Sequence, residues 1–239
     1  MNTKAAGFSF IFFLLMGLQN AHSFEVEITN KKVEAYLTNE YSRGINYYGE
    51  LSSVGGIELN NMYSFRGGIS FGIAQNLTSL NVFAGAGVNP FAGFNMPAVK
   101  PLNFSLAYIY NGLPGYDVHA HSIQPVISYN IMRAGTSIGI CFRFTSFFGE
   151  PVLYETILSF LVYFNFINNE KLLIGISISN FDDFNAKNIM AYSLNLNSVI
   201  RLNDKWSLIN ELKFMQSGAD GLTSTFYGIA WHAGAKFTW

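Results

Sequence analysis

The sequence predicts an all-β protein, a transmembrane antiparallel up-and-down β-barrel, and three observations carry that prediction. Half of the 239 residues are hydrophobic, yet only 12% are charged. A soluble chain of this size carries about a quarter charged residues, so the surplus apolar side chains must meet something other than the protein's own core. Apolar and polar residues also alternate strictly over one segment after another, which is the period of a strand with two unlike faces. Finally, from residue 24 onward every apolar run is cut by Asn, Ser, Gly, Glu or Arg, so no stretch can cross a bilayer as a helix. A barrel satisfies all three constraints, because its strands pair one another's backbone groups while its outer face meets lipid.

The N-terminus is set apart. Lys4 gives a positive start, Ala5 to Leu18 form an uncharged apolar run, and Ala21-His22-Ser23 places small residues at both cleavage positions. That run is short for a spanning helix, and the pattern is that of a secretory signal peptide over 1–23, leaving a mature barrel of 24–239. A net charge of −1 supplies no basic face for nucleic acid. Cys141 is the only cysteine, which excludes an intramolecular disulfide and a metal framework of Cys pairs. Nothing in the chain calls for a cofactor.

The elements follow from the alternation. In Ile57 to Ala74 the odd positions Ile57, Leu59, Tyr63, Phe65, Ile69, Phe71 and Ile73 are apolar, and Glu58, Asn60, Ser64, Arg66 and Ser70 oppose them. Val152 to Phe166 repeats this with Tyr154, Leu158, Phe160, Val162 and Phe164 against Glu155, Ser159, Tyr163 and Asn165. Twelve strands result, near 33–47, 57–74, 79–88, 91–99, 103–112, 122–131, 135–147, 152–166, 170–181, 188–202, 205–217 and 224–239. The count is even, as single-chain bacterial barrels require, and it leaves both termini on the periplasmic side. Segment 91–99 is the weak member, since Pro97 cannot donate to a ladder. If it and 103–112 formed one loop the count would be ten, but Phe104, Leu106, Tyr108 and Tyr110 alternate as a strand does.

Tight polar turns at Gln75-Asn76, Met132-Arg133, Asn168-Asn169 and Asn203-Asp204 are assigned to the periplasmic side. External loops are expected near 49–56, 113–122, 148–151, 182–188 and 218–224. A soluble β-sandwich would also alternate, but with more charge and without such long apolar faces.

The last strand is the most specific segment. Tyr227, Ile229, Trp231, Ala233, Ala235, Phe237 and Trp239 share one face, and the other holds Gly228, Ala230, His232, Gly234, Lys236 and Thr238. This resembles the C-terminal assembly signal of bacterial outer-membrane β-barrels, of a small porin-like class. The resemblance implies the lipid bilayer of the outer membrane and the barrel-assembly machinery as partners, with Tyr227, Ile229, Trp231, Phe237 and Trp239 as the assembly signal. Trp206, Phe166 and Tyr129 fall at the end of Trp239, while Tyr227, Tyr154, Tyr110 and Tyr63 are expected at the outer girdle.

Function must come from the inward face, because this fold hosts channels, enzymes and adhesins alike. Inward positions are rich in Gly and Ser, so a twelve-stranded barrel should keep a wet lumen. Arg66, Arg143, Arg201, Lys213 and His232 point inward with Glu155 and Glu211, and either line a constriction or brace the barrel in pairs. The leading reading is a passive channel for small solutes, with apolar or amphipathic ones expected from Phe83, Ile157, Leu161 and Leu173 on the same face. A closed barrel with interacting loops is the second reading. A rim hydrolase built on Asp117, His119, His121 and Ser122 is the third, although the two histidines lie on the outward face. If 148–151 is a tight loop, Arg143 lies opposite Thr156, with Glu155 one residue away.

Overall fold

A computed structural model describes residues 28–42, 45–74, 77–92, 101–148, 150, 153–180, 192–217 and 225–239. Twelve strands occupy them: β1 Ile28–Ser42, β2 Ile45–Leu59, β3 Tyr63–Ala74, β4 Leu77–Val88, β5 Leu102–Leu113, β6 Val118–Asn130, β7 Ala134–Phe147, β8 Leu153–Asn168, β9 Leu172–Ser179, β10 Tyr192–Arg201, β11 Trp206–Ser217 and β12 Thr225–Thr238. Each strand pairs antiparallel with its sequence neighbours, and β1 pairs with β12 from Lys32↔Thr238 to Ser42↔Gly228, closing the sheet into a barrel. Closure leaves no edge strand, which is what the hydrocarbon interior of a membrane demands of a sheet.

The alternation fixes the two faces. Leu51, Ile69, Phe71, Leu158, Val162 and Trp231 stand exposed on the outside, while Ser52, Ser70, Ser159, Ser177 and Asn195 are buried on the inside. This inversion of the soluble pattern gives the barrel an apolar belt suited to lipid. A small apolar cluster does exist within, where Val54, Phe83 and Ile109 pack together on the inner wall with Tyr36 and Ala107.

The twelve-strand count is correct, but two assignments within it change. The segments expected at 33–47 and 57–74, with a loop at 49–56 between them, are three strands. β2 runs through the supposed loop, and a turn at Asn60-Asn61-Met62 divides the supposed long strand. Asn60 and Asn61 take left-handed φ values of 52° and 54°, and Leu59 pairs with Tyr63. A three-residue connection of this kind makes odd positions face odd positions across the hairpin, so the outward apolar pattern passes through the turn unbroken. Conversely, the strand expected at 91–99 falls mostly outside the described residues, and the closed barrel holds no strand between β4 and β5. Residues 93–100 lie outside the described set, but β4 pairs directly with β5 from Leu80↔Gly112 to Val88↔Phe104, leaving no place between them.

These changes reverse the direction of the early strands. The connection at 75–76 stands at the end opposite the termini, not with the turns at 131–133, 169–171 and 202–205. Tyr63, at the start of β3, belongs to the terminal end with Trp239 and not to the opposite girdle. The loop expected at 113–122 shrinks to a 3-10 turn, Pro114–Tyr116, and Asp117, with β6 already under way at Val118. The loops expected at 182–188 and 218–224, the signal segment 1–23 and the chain to residue 27 lie outside the described residues.

Candidate functional site

The interior holds a cavity of about 600 Å³ to which all twelve strands contribute side chains. It extends from Glu40, Glu50 and Met215 toward the far end to Ser64, Asn103 and Ser128 near the terminal end. Its walls mix polar and apolar side chains, unequally from one side to the other.

On β1, β2, β11 and β12 the wall is ionic. Lys32 pairs with Glu34 at 3.4 Å, and the Tyr36 hydroxyl donates to the Glu34 carboxylate. Glu211 and Lys213, two positions apart on β11, pair at 3.3 Å. His232 stands opposite Glu211 in the β11–β12 register, and its Nδ1 lies 3.2 Å from the Thr38 hydroxyl across the closing seam. Arg66 on β3 stacks over the Phe83 ring at 5.6 Å, a cation–π contact.

From β4 to β10 the wall is mostly neutral. The Asn81 amide donates to Ser70 at 2.9 Å and accepts from Asn111 at 2.9 Å, and Ser79 meets the Tyr48 hydroxyl at 2.9 Å. The Tyr48 hydroxyl donates in turn to Glu50. Asn195 donates to Ser177 and Ser179, Asn197 donates to Ser177, and Ser128 bonds Ser137 at 2.8 Å. Such ladders satisfy polar groups that the barrel would otherwise bury at a cost.

Tyrosines lie flat on this wall because glycines make room. Tyr163 faces Gly135 across β7–β8, Tyr36 faces Gly234 across β1–β12, and Tyr48 lies beside Gly72. A Cβ on any of these glycines would collide with the neighbouring ring, so each ring occupies the space of an absent side chain.

Of the charges singled out in the sequence, Arg66, Glu211, Lys213 and His232 border the cavity. Arg143 and Glu155 occupy inward positions nearer the far end, outside its lining. They pair directly across β7–β8, one residue from the expected register, with Thr156 opposite Phe142 on the outer face. Arg201 ends β10 at the terminal rim, where its guanidinium donates to the Asn169 carbonyl at 2.6 Å. Ile229, Trp231 and Phe237 are outward-facing positions of β12, Phe237 packing against Trp206 at 4.9 Å and Trp239 at 5.3 Å. Tyr227 falls at a register shift, between the pairs Met215↔Gly228 and Gln216↔Phe226. The inward amides of Asn81 and Asn111, and of Asn195 and Asn197, were not singled out from sequence. Their signal was there, an Asn at inward parity on β4, β5 and β10, but it was overshadowed by the charges.

The rim cluster does not assemble. His119 and His121 face outward, their Nδ1 atoms each 2.8 Å from the hydroxyls of Tyr110 and Tyr108, and His119 reaches Asp117 at 3.2 Å. Ser122 points through the wall to the inside, where it is fully buried. Among the described residues no three His, Cys, Asp or Glu side chains converge as a metal ion would require.

No protein-family model and no curated protein matches this sequence. Solved structures do match its fold. The NanC porin superposes with a TM-score of 0.55 at 7% identity, over 85% of this chain and 98% of that one. The translocator domain of the autotransporter NalP from Neisseria meningitidis gives 0.50 at 12% identity, over 97% and 94%. Outer membrane phospholipase A from Escherichia coli gives 0.50 at 6% identity, over 89% and 94%. The chain therefore has the fold of bacterial outer-membrane β-barrels, in its closed twelve-stranded form.

Proposed function

We propose that this protein is exported, inserted into an outer membrane with both termini on the periplasmic side, and acts there as a passive channel for small solutes. The observation that carries this reading is the cavity of about 600 Å³ bordered by every strand and lined by hydroxyls, amides and a few charges among apolar side chains such as Val54, Phe83, Ile109 and Leu161. A barrel serving only as a scaffold has no need of a polar bore along its height. The apolar belt supports a bilayer as its surroundings, and porins stand among the structures of like fold. The phospholipase of like fold keeps an enzyme in view, but the separation of Ser122 from the two histidines by the barrel wall speaks against that chemistry here.

Export rests on removal of 1–23 and assembly on the aromatic face of β12, read by the barrel-assembly machinery. Single-channel recording of refolded mature protein tests the channel: stepwise current supports it, and silence at any voltage in a bilayer shown to contain folded barrel overturns it.

A further inference from the structure

The charges of this barrel are sorted by height. At the end that holds the termini, inward positions carry Lys32, Arg66, Arg201 and Lys236 against Glu34 and Glu58. At the far end they carry Glu40, Glu50 and Glu155 against Arg143. Four cations against two anions, and three anions against one cation, leave opposite excesses of two charges. Between them Glu211 and Lys213 cancel in their 3.3 Å pair. Among the described residues the remaining charges keep the same order: Lys31, Arg133, Lys171 and Lys205 against Glu170 and Asp204 at the terminal end, and Asp117 and Glu150 at the far end. In a chain whose net charge is only −1, this sorting gives the described residues an axial dipole.

We propose that the lumen is a bipolar pore: its mouths repel ions of opposite sign, so it rectifies ionic current and favours small zwitterionic or uncharged polar solutes over cations and anions of the same size. This rests on the channel reading above. A cation meets its barrier at the basic terminal mouth and an anion at the acidic far mouth, whereas a net-neutral solute meets neither. A zwitterion also gains by turning its ammonium group toward the far end. Between the mouths the amides of Asn81, Asn111, Asn195 and Asn197 offer hydrogen bonds that do not depend on charge.

Two net charges about 10 Å from a permeating ion alter its passage about twofold at 0.1 M salt, where the screening length is about 10 Å, and hardly at 1 M, where it is about 3 Å. Single channels in 0.1 M KCl should therefore pass about twofold different currents at equal voltages of opposite sign, and become symmetric at 1 M. Proteoliposomes should take up labelled glutamine about twofold faster than glutamate or lysine, three solutes of nearly equal size. The double variant Lys32→Gln, Lys236→Gln should weaken the rectification and release lysine from its disadvantage. Glu40→Lys, at the other mouth, should do the same for glutamate if the first variant does not fold. Symmetric currents at 0.1 M with equal uptake would overturn the bipolar pore and leave the channel standing. Absence of both current and uptake would overturn the two together.

Discussion

The directly opposed pair Arg143 and Glu155 gives the sharpest test of how this interior is held together. The two residues stand opposite one another across β7 and β8 on the inner wall, each half-buried, and the Arg143 Nε is buried without a hydrogen-bond partner. Charges about 6 Å apart interact with about 0.7 kcal/mol in bulk water and about 3 kcal/mol at an effective dielectric of about 20. A narrow interior with polar and charged walls lies between those limits, so a coupling energy of about 1–2 kcal/mol is expected. The loss should be unequal. Glu155→Gln strands a partly desolvated guanidinium, whereas Arg143→Met removes the cation and leaves a carboxylate nearer the mouth, so the first variant should be the less stable. Urea unfolding of the refolded barrel in detergent, carried out on both single variants and the double, measures the coupling directly. Additive losses would show that the opposition across β7 and β8 carries no energy and would refute this account.

Other outcomes can be checked in the same preparations. Leu158→Arg, on the exposed outer face at mid-strand, should cost about 2–4 kcal/mol when the barrel unfolds from a bilayer, and near zero cost would place that face away from lipid. Asn81→Leu should lower stability by about 1–3 kcal/mol, because it leaves Ser70 and Asn111 without their partner in a buried ladder; an unchanged urea midpoint would refute the ladder's role. Phe237→Asp should block assembly, seen as loss of heat-modifiable mobility, since it puts a carboxylate between Trp206 and Trp239 on the outer face. Normal mobility would argue against an aromatic signal on β12.

Fold class was legible because alternation is a local property, Phe104, Leu106, Tyr108 and Tyr110 facing outward whatever their neighbours do; the strand number came out at twelve because the missed β2 and the extra strand expected at 91–99 cancel. Strand boundaries were less so, and the turn at 60–62 shows why. With an odd number of residues in the connection the parity of the apolar face is conserved, so the one local signal is blind to the reversal of direction. Asn60-Asn61 was the cue, a pair tolerant of left-handed backbone, and it was outweighed by Gly49, Gly55 and Gly56, which read as a loop and in fact lie within β2. Which side chains face the lumen was also readable from parity. Which of them meet was not: the step from Thr156 to Glu155 opposite Arg143 depends on the geometry of the connection between β7 and β8, which composition does not encode.

The tyrosines laid over glycines make the bore adjustable without any change of charge. Each ring is stowed against the wall only because its neighbour has no side chain, so a methyl group at Gly72, Gly135 or Gly234 would push the ring of Tyr48, Tyr163 or Tyr36 toward the axis. In the proposed channel, aperture and electrostatics would thus be written in different residues: the three glycines would set how wide the passage is, and the sorted lysines, arginines and glutamates what sign may enter. A lineage of such barrels could retune the size of its cargo by single small substitutions while its ion preference stayed fixed, or the reverse.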